Sequence, residues 1–473
     1  MITYTRAWFG AVGLLVGGFV VSAAGADNGL GAPAAPAPNP QAGKKMYEQH
    51  CARCHGVEGN GRGPDAPRLV PQPRDFTVGT FKIRSTASGT PPTDEDLYWT
   101  VTKGLPGSGM PAWGGLSDEE RWQLVYYVKQ FANFGDRKPE PVSMGKDPGS
   151  EGADLAKGRR VYDTLQCAAC HGKLGRGDGP SAPSLVDDWN QPIRAANLTQ
   201  GWTYRGGSHQ QDIYLRFTAG IDGTPMPSYA EAASDEDRWQ LAYYVQSLQE
   251  EPHWEMAVPV ARAAGALPAT PGDPAWSAAP AVDLGMQGLV YVAGATSAAT
   301  VKAVRVQALT DGQELTLRLS WDDPTLSSAA TPPDALAVAF RPEQESGPLP
   351  PASWYNAPPV ARDLCYWSSA ANAAREQVAT TVAPMARDRD TGAVRISAST
   401  YEDGRWALVL RRPLRVNDLT GAVTLAGQQA VPFSVAIWDG GRQEEGRHGA
   451  FSTWVPLVFD SAASAHAPAA GQH

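Results

Sequence analysis

The sequence predicts a multidomain chain, two small all-α units followed by an all-β antiparallel sandwich, and three observations carry that expectation. A block built around Cys-x-x-Cys-His occurs twice in the N-terminal half, each copy closed by Trp and Tyr at helical spacing. From Asp273 onward the pattern changes to short alternating or β-branched runs separated by turn signals. Stretches rich in Pro, Gly and Ala lie between these regions, and 473 residues are too many for one core.

The chain opens with a basic spot at Arg6, an apolar run Ala7–Ala24 and the small residues Ala24-Gly25-Ala26. That order predicts a cleaved signal peptide over 1–26 and a periplasmic protein. Because the run approaches the roughly 20 residues of a membrane span, an uncleaved N-terminal anchor is the other reading, and only then is a membrane a partner. Residues 27–40 form a Pro/Ala tether, expected to be extended and solvated. The net charge of −9 argues against nucleic acid and anionic membranes as partners, and suits a basic patch on another protein.

The repeat then fills 41–136 and 157–250, with linkers at 137–156 and 251–272. Cys51-Ala-Arg-Cys54-His55-Gly56 returns as Cys167-Ala-Ala-Cys170-His171-Gly172, followed in each copy by Gly63-Pro64 or Gly179-Pro180. Each copy ends on Arg-Trp-Gln-Leu, at Arg121–Leu124 and Arg238–Leu241. The acids before these segments, Asp118-Glu119-Glu120 and Asp235-Glu236-Asp237, suit the positive end of a helix and not a catalytic pair.

The spacing carries the chemistry. Two thiols three residues apart on one turn can add across the two vinyl groups of a haem, and the next residue, His, faces the iron. A thioredoxin-like pair would need a βαβ setting, and a zinc site would need four converging ligands. A plain disulfide would leave both His unexplained.

On these motifs, residues 41–135 and 157–249 resemble the class I c-type cytochrome fold. The resemblance implies two covalently bound haem c groups, held by Cys51, Cys54 and His55 and by Cys167, Cys170 and His171. Met is that family's usual second axial ligand, and Met110 and Met226 each lie 59 residues after the first Cys of their motif. The iron ligands expected are therefore His55 with Met110 and His171 with Met226. Arg74 and Arg84 in the first copy, and Arg194 and Arg205 in the second, are candidate partners for haem propionates. With both axial positions filled there is no open iron, so the expectation is single-electron transfer and not catalysis.

In the third unit, 273–461, eight strand-like runs are legible at Gly288–Ala295, Val301–Leu309, Glu314–Trp321, Ala335–Phe340, Val394–Ser399, Trp406–Arg411, Val431–Trp438 and Thr453–Phe459. Asp311-Gly312 and Asp403-Gly404 mark hairpin turns, and 462–473 is a tail. The phrases Leu315–Asp323, Asp334–Phe340, Tyr366-Trp367, Asp403–Leu414 and Ala436–Gly440 resemble the haem-binding γ-subunit domain of ethylbenzene dehydrogenase and related type II enzymes of the DMSO reductase family. That resemblance implies a haem b held by Met and Lys. This chain departs from it, since its last Lys is Lys302 and 341–364 holds no Met, His or Cys. His448 is the candidate replacement ligand, Met385 lies in a different segment, and a haem-less docking domain is the other reading. Cys365 is expected to be a buried small hydrophobe.

Together the resemblances imply the dihaem cytochrome subunit of a nitrate-reductase-like respiratory complex, with molybdenum and iron–sulfur subunits as partners and catalysis in one of them. The alternatives are a stand-alone dihaem redox enzyme, or a haem protein whose sandwich binds a ligand or partner.

Overall fold

The computed structural model describes residues 32–289, 299–327, 331–341, 362–371, 373–379, 387–389, 394–416 and 423–459. The signal segment, Met385 and the tail lie outside the described residues. No helix among those described is long and apolar enough to cross a membrane.

The first helical domain contains α1 (Pro40–His50), α2 (Ala52–His55), α3 (Asp94–Lys103) and α4 (Asp118–Phe131). The second repeats it with α5 (Leu155–Thr164), α6 (Ala168–His171), α7 (Gln210–Ala219) and α8 (Asp235–Ser247). The acid triplets occupy the first turns of α4 and α8, where Ser117 and Ser234 cap the helices by accepting from the Glu120 and Asp237 N–H groups. First and last helices cross where Gly43 and Gly158 leave no room for a Cβ against the Gln123 and Gln240 carbonyls. The cores match as well: Tyr98 stacks on Trp122 at 4.6 Å and Tyr214 on Trp239 at 4.5 Å.

The described part of the Pro/Ala tether, 32–39, is docked on α4, contrary to the expectation of a solvated arm. Trp122 Nε1 donates to the Pro33 carbonyl (3.0 Å), Gln123 Nε2 to Ala37 (2.9 Å) and the Tyr126 hydroxyl to Pro36 (2.9 Å). The 137–156 linker does the same for α8. Trp239 Nε1 donates to the Met144 carbonyl (2.7 Å), Gln240 Nε2 to Gly152 (3.1 Å) and Tyr243 to the Asp147 carboxylate (2.8 Å). The cause is polar satisfaction: an interior Trp or Tyr needs an acceptor, and an extended arm supplies free carbonyls. Each repeat unit therefore includes the arm that precedes its first helix.

The segment 251–272, expected as a linker, contributes β1 (Val258–Arg262) to the sandwich. Twelve more strands follow among the described residues: β2 (Val282–Gln287), β3 (Ala303–Thr310), β4 (Glu314–Asp322), β5 (Ala335–Phe340), β6 (Arg362–Ser368), β7 (Ala373–Ala379), β8 (Arg387–Arg389), β9 (Arg395–Glu402), β10 (Arg405–Pro413), β11 (Ala430–Trp438), β12 (Ala450–Ser452) and β13 (Val455–Val458). Their order is β8-β7-β6-β5-β11-β12-β2-β3-β4-β10-β9. All pairings are antiparallel except those of β1, which runs parallel to β3 and β13.

Leu317, Leu319 and Leu408 of one face pack with Val338, Phe433 and Val435 of the other in a single core. Trp367 meets Trp321 and Trp406 across it, at 6.1 and 5.0 Å. Cys365 is fully buried in that core. Both hairpin turns form where Asp-Gly predicted them, with Gly312 at φ 92° and Gly404 at φ 74°. The strands beyond the eight predicted runs are β1, β2, β6, β7, β8 and β12. They are short or interrupted by Gly and charged residues, which weakens alternation. Most of the predicted run Gly288–Ala295 lies outside the described residues.

Candidate haem centres

Each Cys-x-x-Cys-His motif forms a tight turn at the end of its domain's first helix. Cys51 ends α1, its N–H bonding the Tyr47 carbonyl, and Ala52–His55 make one further turn. Gly56 and Gly172, at φ 77° and 81°, reverse the chain in conformations a side chain rarely adopts. A buried tyrosine fastens each reversal, Tyr47 donating to the Gly56 carbonyl and Tyr162 to that of Gly172, both at 2.7 Å.

The histidines are held from outside the motif. His55 Nδ1 lies 2.9 Å from the Arg74 carbonyl and His171 Nδ1 lies 2.9 Å from the Ala196 carbonyl. A carbonyl only accepts, so Nδ1 carries the proton and Nε2 keeps its lone pair for a metal. The acceptor segments are fixed identically: Asp75 Oδ1 accepts from the Thr77 N–H and hydroxyl, and Asn197 Oδ1 from those of Thr199. Burial pushes both imidazoles below their ordinary range, which favours the neutral ligating form. It raises the Cys51 thiol to about 12 and the Cys167 thiol to about 11, so both stay protonated near neutrality.

Met110 and Met226 sit in matching loops. Leu105 N–H bonds the Met110 carbonyl and Ile221 N–H that of Met226, each at 3.0 Å. The Met N–H groups in turn bond Ser108 Oγ and Thr224 Oγ1, each at 3.2 Å. Met226 packs on the same core as Cys167. A cleft of about 350 Å³ opens beside it, lined by Ser88, Arg137 and Asp222 among others.

The four candidate propionate arginines separate into different roles. Arg74 and Arg205 belong to a cationic cluster with Lys82 and Lys302. Burial and the neighbouring arginines hold both lysines down at about 8. Arg74 lies over the Trp189 ring at 4.7 Å, and Arg205 bonds the Pro106 and Gly107 carbonyls at 3.4 and 3.2 Å. These partly buried cations outnumber the carboxylate among them, Asp187 at 3.8 Å from Lys82 Nζ, and haem carboxylates are anions of the right kind to join it.

Arg84 stands elsewhere, whereas Arg194 joins the cluster at Lys302, which it helps to hold down. Fully buried Arg84 is committed to Asp222 (2.7 Å) and the Ala219 carbonyl (2.9 Å) across the domain boundary. Arg194 interacts with Glu444 and Asp439 of the sandwich, and Ala196, not Arg194, takes the place equivalent to Arg74. His448, the candidate third-haem ligand, is exposed in a turn closed by its own N–H on the Glu445 carbonyl (3.0 Å).

Sequence reasoning missed the carbonyls of Arg74 and Ala196, the cluster lysines and Trp189. The paired Asp75-Phe-Thr77 and Asn197-Leu-Thr199 turns were the signal that could have aligned the first two. It also missed Asp322, whose carboxylate at the end of β4 accepts from Asn197 (2.7 Å), Gln200 (2.9 Å) and Arg405 (2.7 Å). That carboxylate ties the sandwich to the segment that orients His171.

The class follows from fold and motif together. Residues 38–128 match the family described as cytochrome c oxidase, cbb3-type, subunit III, and residues 155–249 match the family described as cytochrome c. The N-terminal half is thus a dihaem c-type cytochrome, whose two domains bind haem c covalently and transfer electrons.

Among particular relatives, the chain is 29% identical over 213 residues to the cbb3-type cytochrome c oxidase subunit CcoP of Azospirillum sp. (strain B510). That match covers 44% of this chain and 61% of the relative, so the chain spans less than two thirds of that relative's length. It is 26% identical to a Haloferax mediterranei protein named as a respiratory nitrate reductase heme subunit, ORF7, over 41% of this chain and 68% of that one. A chain of the Kuenenia stuttgartiensis reducing HAO-like protein complex aligns at 43% identity and a TM-score of 0.44, covering 46% of this chain and all of that one.

Proposed function

We propose that the protein is an exported, periplasmic electron-transfer subunit of a nitrate-reductase-like molybdenum oxidoreductase, without catalysis of its own. The observation that carries the electron-transfer role is the duplicated centre: a His with Nδ1 locked on a carbonyl and a Met loop 59 residues after the first Cys. When bound, haem supplies a one-electron couple, and Met ligation raises its potential relative to a harder ligand. The chain's contribution is to anchor it through Cys51, Cys54, Cys167 and Cys170 and to orient His55 and His171 toward the iron. Met110 and Met226 would serve as the further ligands, and Arg74 and Arg205 would pair with the haem carboxylates.

The molybdenum partner draws support from the phrases shared with the ethylbenzene dehydrogenase γ-subunit domain, and from the name of the Haloferax relative. In this reading the sandwich is a docking domain. It grips the second cytochrome domain through Asp322, through Arg405 on Glu250 (3.0 Å) and through Arg176 on the Asp403 carbonyl (2.7 Å).

Iron content, haem staining and carbon monoxide binding test the proposal on the full chain. Two covalent haems that stay six-coordinate and bind carbon monoxide slowly at neutral pH are expected. Rapid binding by the reduced protein overturns the carrier role. A third, extractable haem overturns the haem-less docking domain and restores the haem b reading. Absence of a molybdenum subunit from the complex isolated with the native protein overturns the partner assignment.

A further inference from the structure

Away from the haem centres, the described residues bring three carboxylates together in one buried place. Asp323 follows β4, Asp334 precedes β5 and Asp439 follows β11, and one oxygen from each lies within 4.8 Å of the others. All three are fully buried, each at 0% exposure.

Their hydrogen bonds are unevenly filled. Asp334 is satisfied: Oδ1 accepts from the Gly440 N–H (2.9 Å), and Oδ2 from Ser327 Oγ (3.1 Å) and Trp406 Nε1 (3.3 Å). Asp323 Oδ1 accepts from the Thr325 N–H (3.0 Å), and Asp439 Oδ1 from Thr325 Oγ1 (2.7 Å) and the Arg442 N–H (3.1 Å). The second oxygen of each, Asp323 Oδ2 and Asp439 Oδ2, is buried and receives no hydrogen bond among the described residues. Leaving a buried acceptor unmade is expensive, and two beside a third carboxylate are more so.

Neighbouring groups do not relieve them. Arg194 and Arg442 bring positive charge near Asp439, yet among the described residues no guanidinium bonds either free oxygen. Glu444 is spent on the Asp439 N–H (3.1 Å) and on the N–H and hydroxyl of Thr300 (both 2.8 Å).

We propose that Asp323, Asp334 and Asp439 bind one divalent cation, and that the cation is Ca²⁺. The donors are all hard oxygens, with no imidazole or thiolate among the three, which excludes a zinc- or copper-type set. Magnesium keeps several waters, whereas calcium accepts a dehydrated, carboxylate-rich cage such as this buried one. Burial and the adjacent carboxylates push Asp323 and Asp439 toward protonation, and a cation reverses that push.

The site also has a structural consequence. It joins the loops after β4 and β11, while Asp323 N–H bonds Gly404 (2.8 Å) and Tyr401 bonds the Asp323 carbonyl (2.9 Å). The β9–β10 turn carrying Asp403 is thereby fixed, and Asp403 is where Arg176 of the second cytochrome domain attaches. The cation clamps the end of the sandwich that grips the cytochrome.

The test uses the full-length holoprotein. Elemental analysis should find one calcium per chain. Removing it with EGTA should lower the melting temperature, and CaCl₂ at about 1 mM should restore it, as mass action on the folded state requires. Tb³⁺ should bind the EGTA-treated protein and luminesce on indole excitation, because Trp406 lies on Asp334, and Ca²⁺ should displace it. The Asp323→Asn/Asp439→Asn double variant should lose the calcium response, while Asp311→Asn in an exposed turn should keep it. A wild-type protein without bound calcium, with neither a calcium-dependent melting shift nor displaceable Tb³⁺ emission, overturns the site. A melting temperature that instead rises with falling pH in EGTA and ignores Ca²⁺ overturns it in favour of carboxylates that share protons.

Discussion

Arg84 Nη2 of the first cytochrome domain lies 2.7 Å from Asp222 Oδ1 of the second, inside the loop that ends at Met226. The same carboxylate accepts from Ser88 Oγ (2.7 Å) and the Gly89 N–H (2.9 Å). In return, Arg205 of the second domain holds the Gly107 carbonyl in the loop that ends at Met110. Each domain therefore braces the methionine loop of its neighbour. Arg84→Ala removes one side of a largely buried ion pair and should cost about 3 kcal/mol. Redox titration should show the potential of the Met226 centre shifted and that of the other unchanged. Equal shifts at both centres would refute the local brace.

Met110→Ala should leave two haems covalently attached, because attachment depends on Cys51 and Cys54. Loss of the thioether ligand should lower the potential of one centre and open its iron to carbon monoxide. A titration that superimposes on the wild type would remove Met110 from the coordination sphere.

Replacing Cys167 and Cys170 by Ala should leave one covalent haem per chain. The second domain should melt earlier, since Cys167 packs against the core that includes Tyr162 and Trp239. Two covalent haems in this variant would place the second attachment elsewhere.

The repeat, its Cys-x-x-Cys-His turns and the closing helices were legible because they depend on local spacing. The arms were not, because whether Pro33–Ala37 and Met144–Gly152 are solvated depends on which carbonyls Trp122 and Trp239 find. Arg84 and Arg194 illustrate the same limit: the sequence shows guanidiniums near a haem motif, but the partner lies on another domain, 138 residues away for Arg84. In the sandwich, β3, β4, β10 and β11 followed from alternating or β-branched runs, and β5 from a short continuous apolar one. Three-residue β12 and the parallel β1 exist only because neighbouring strands offer them hydrogen-bonding edges.

Gly158 allows α5 to touch α8, and a Cβ there would overlap the Gln240 carbonyl. Gly158→Ala should destabilise the second cytochrome domain by about 1–3 kcal/mol through overpacking. Gly115→Ala, at a position with open space around it, should be near neutral. Thermal unfolding followed at the Soret band compares them; equal melting temperatures would contradict the close helix crossing.

Asp212 supplies the pH test. Burial raises its carboxyl above the ordinary range, although it accepts from the His209 N–H at the start of α7 (3.3 Å). The folded protein thus binds this proton more tightly than the unfolded chain, whose carboxyl titrates near 3.8. Between those two values stability falls as pH rises, and above the folded-state value the whole penalty is present. Asp212→Asn keeps an acceptor for His209 and removes the charge, so it should raise the melting temperature at pH 7. The gain should shrink as pH falls and vanish once Asp212 is protonated in both states. A gain independent of pH, or a loss at pH 7, would show that the charged form is favoured in the folded protein.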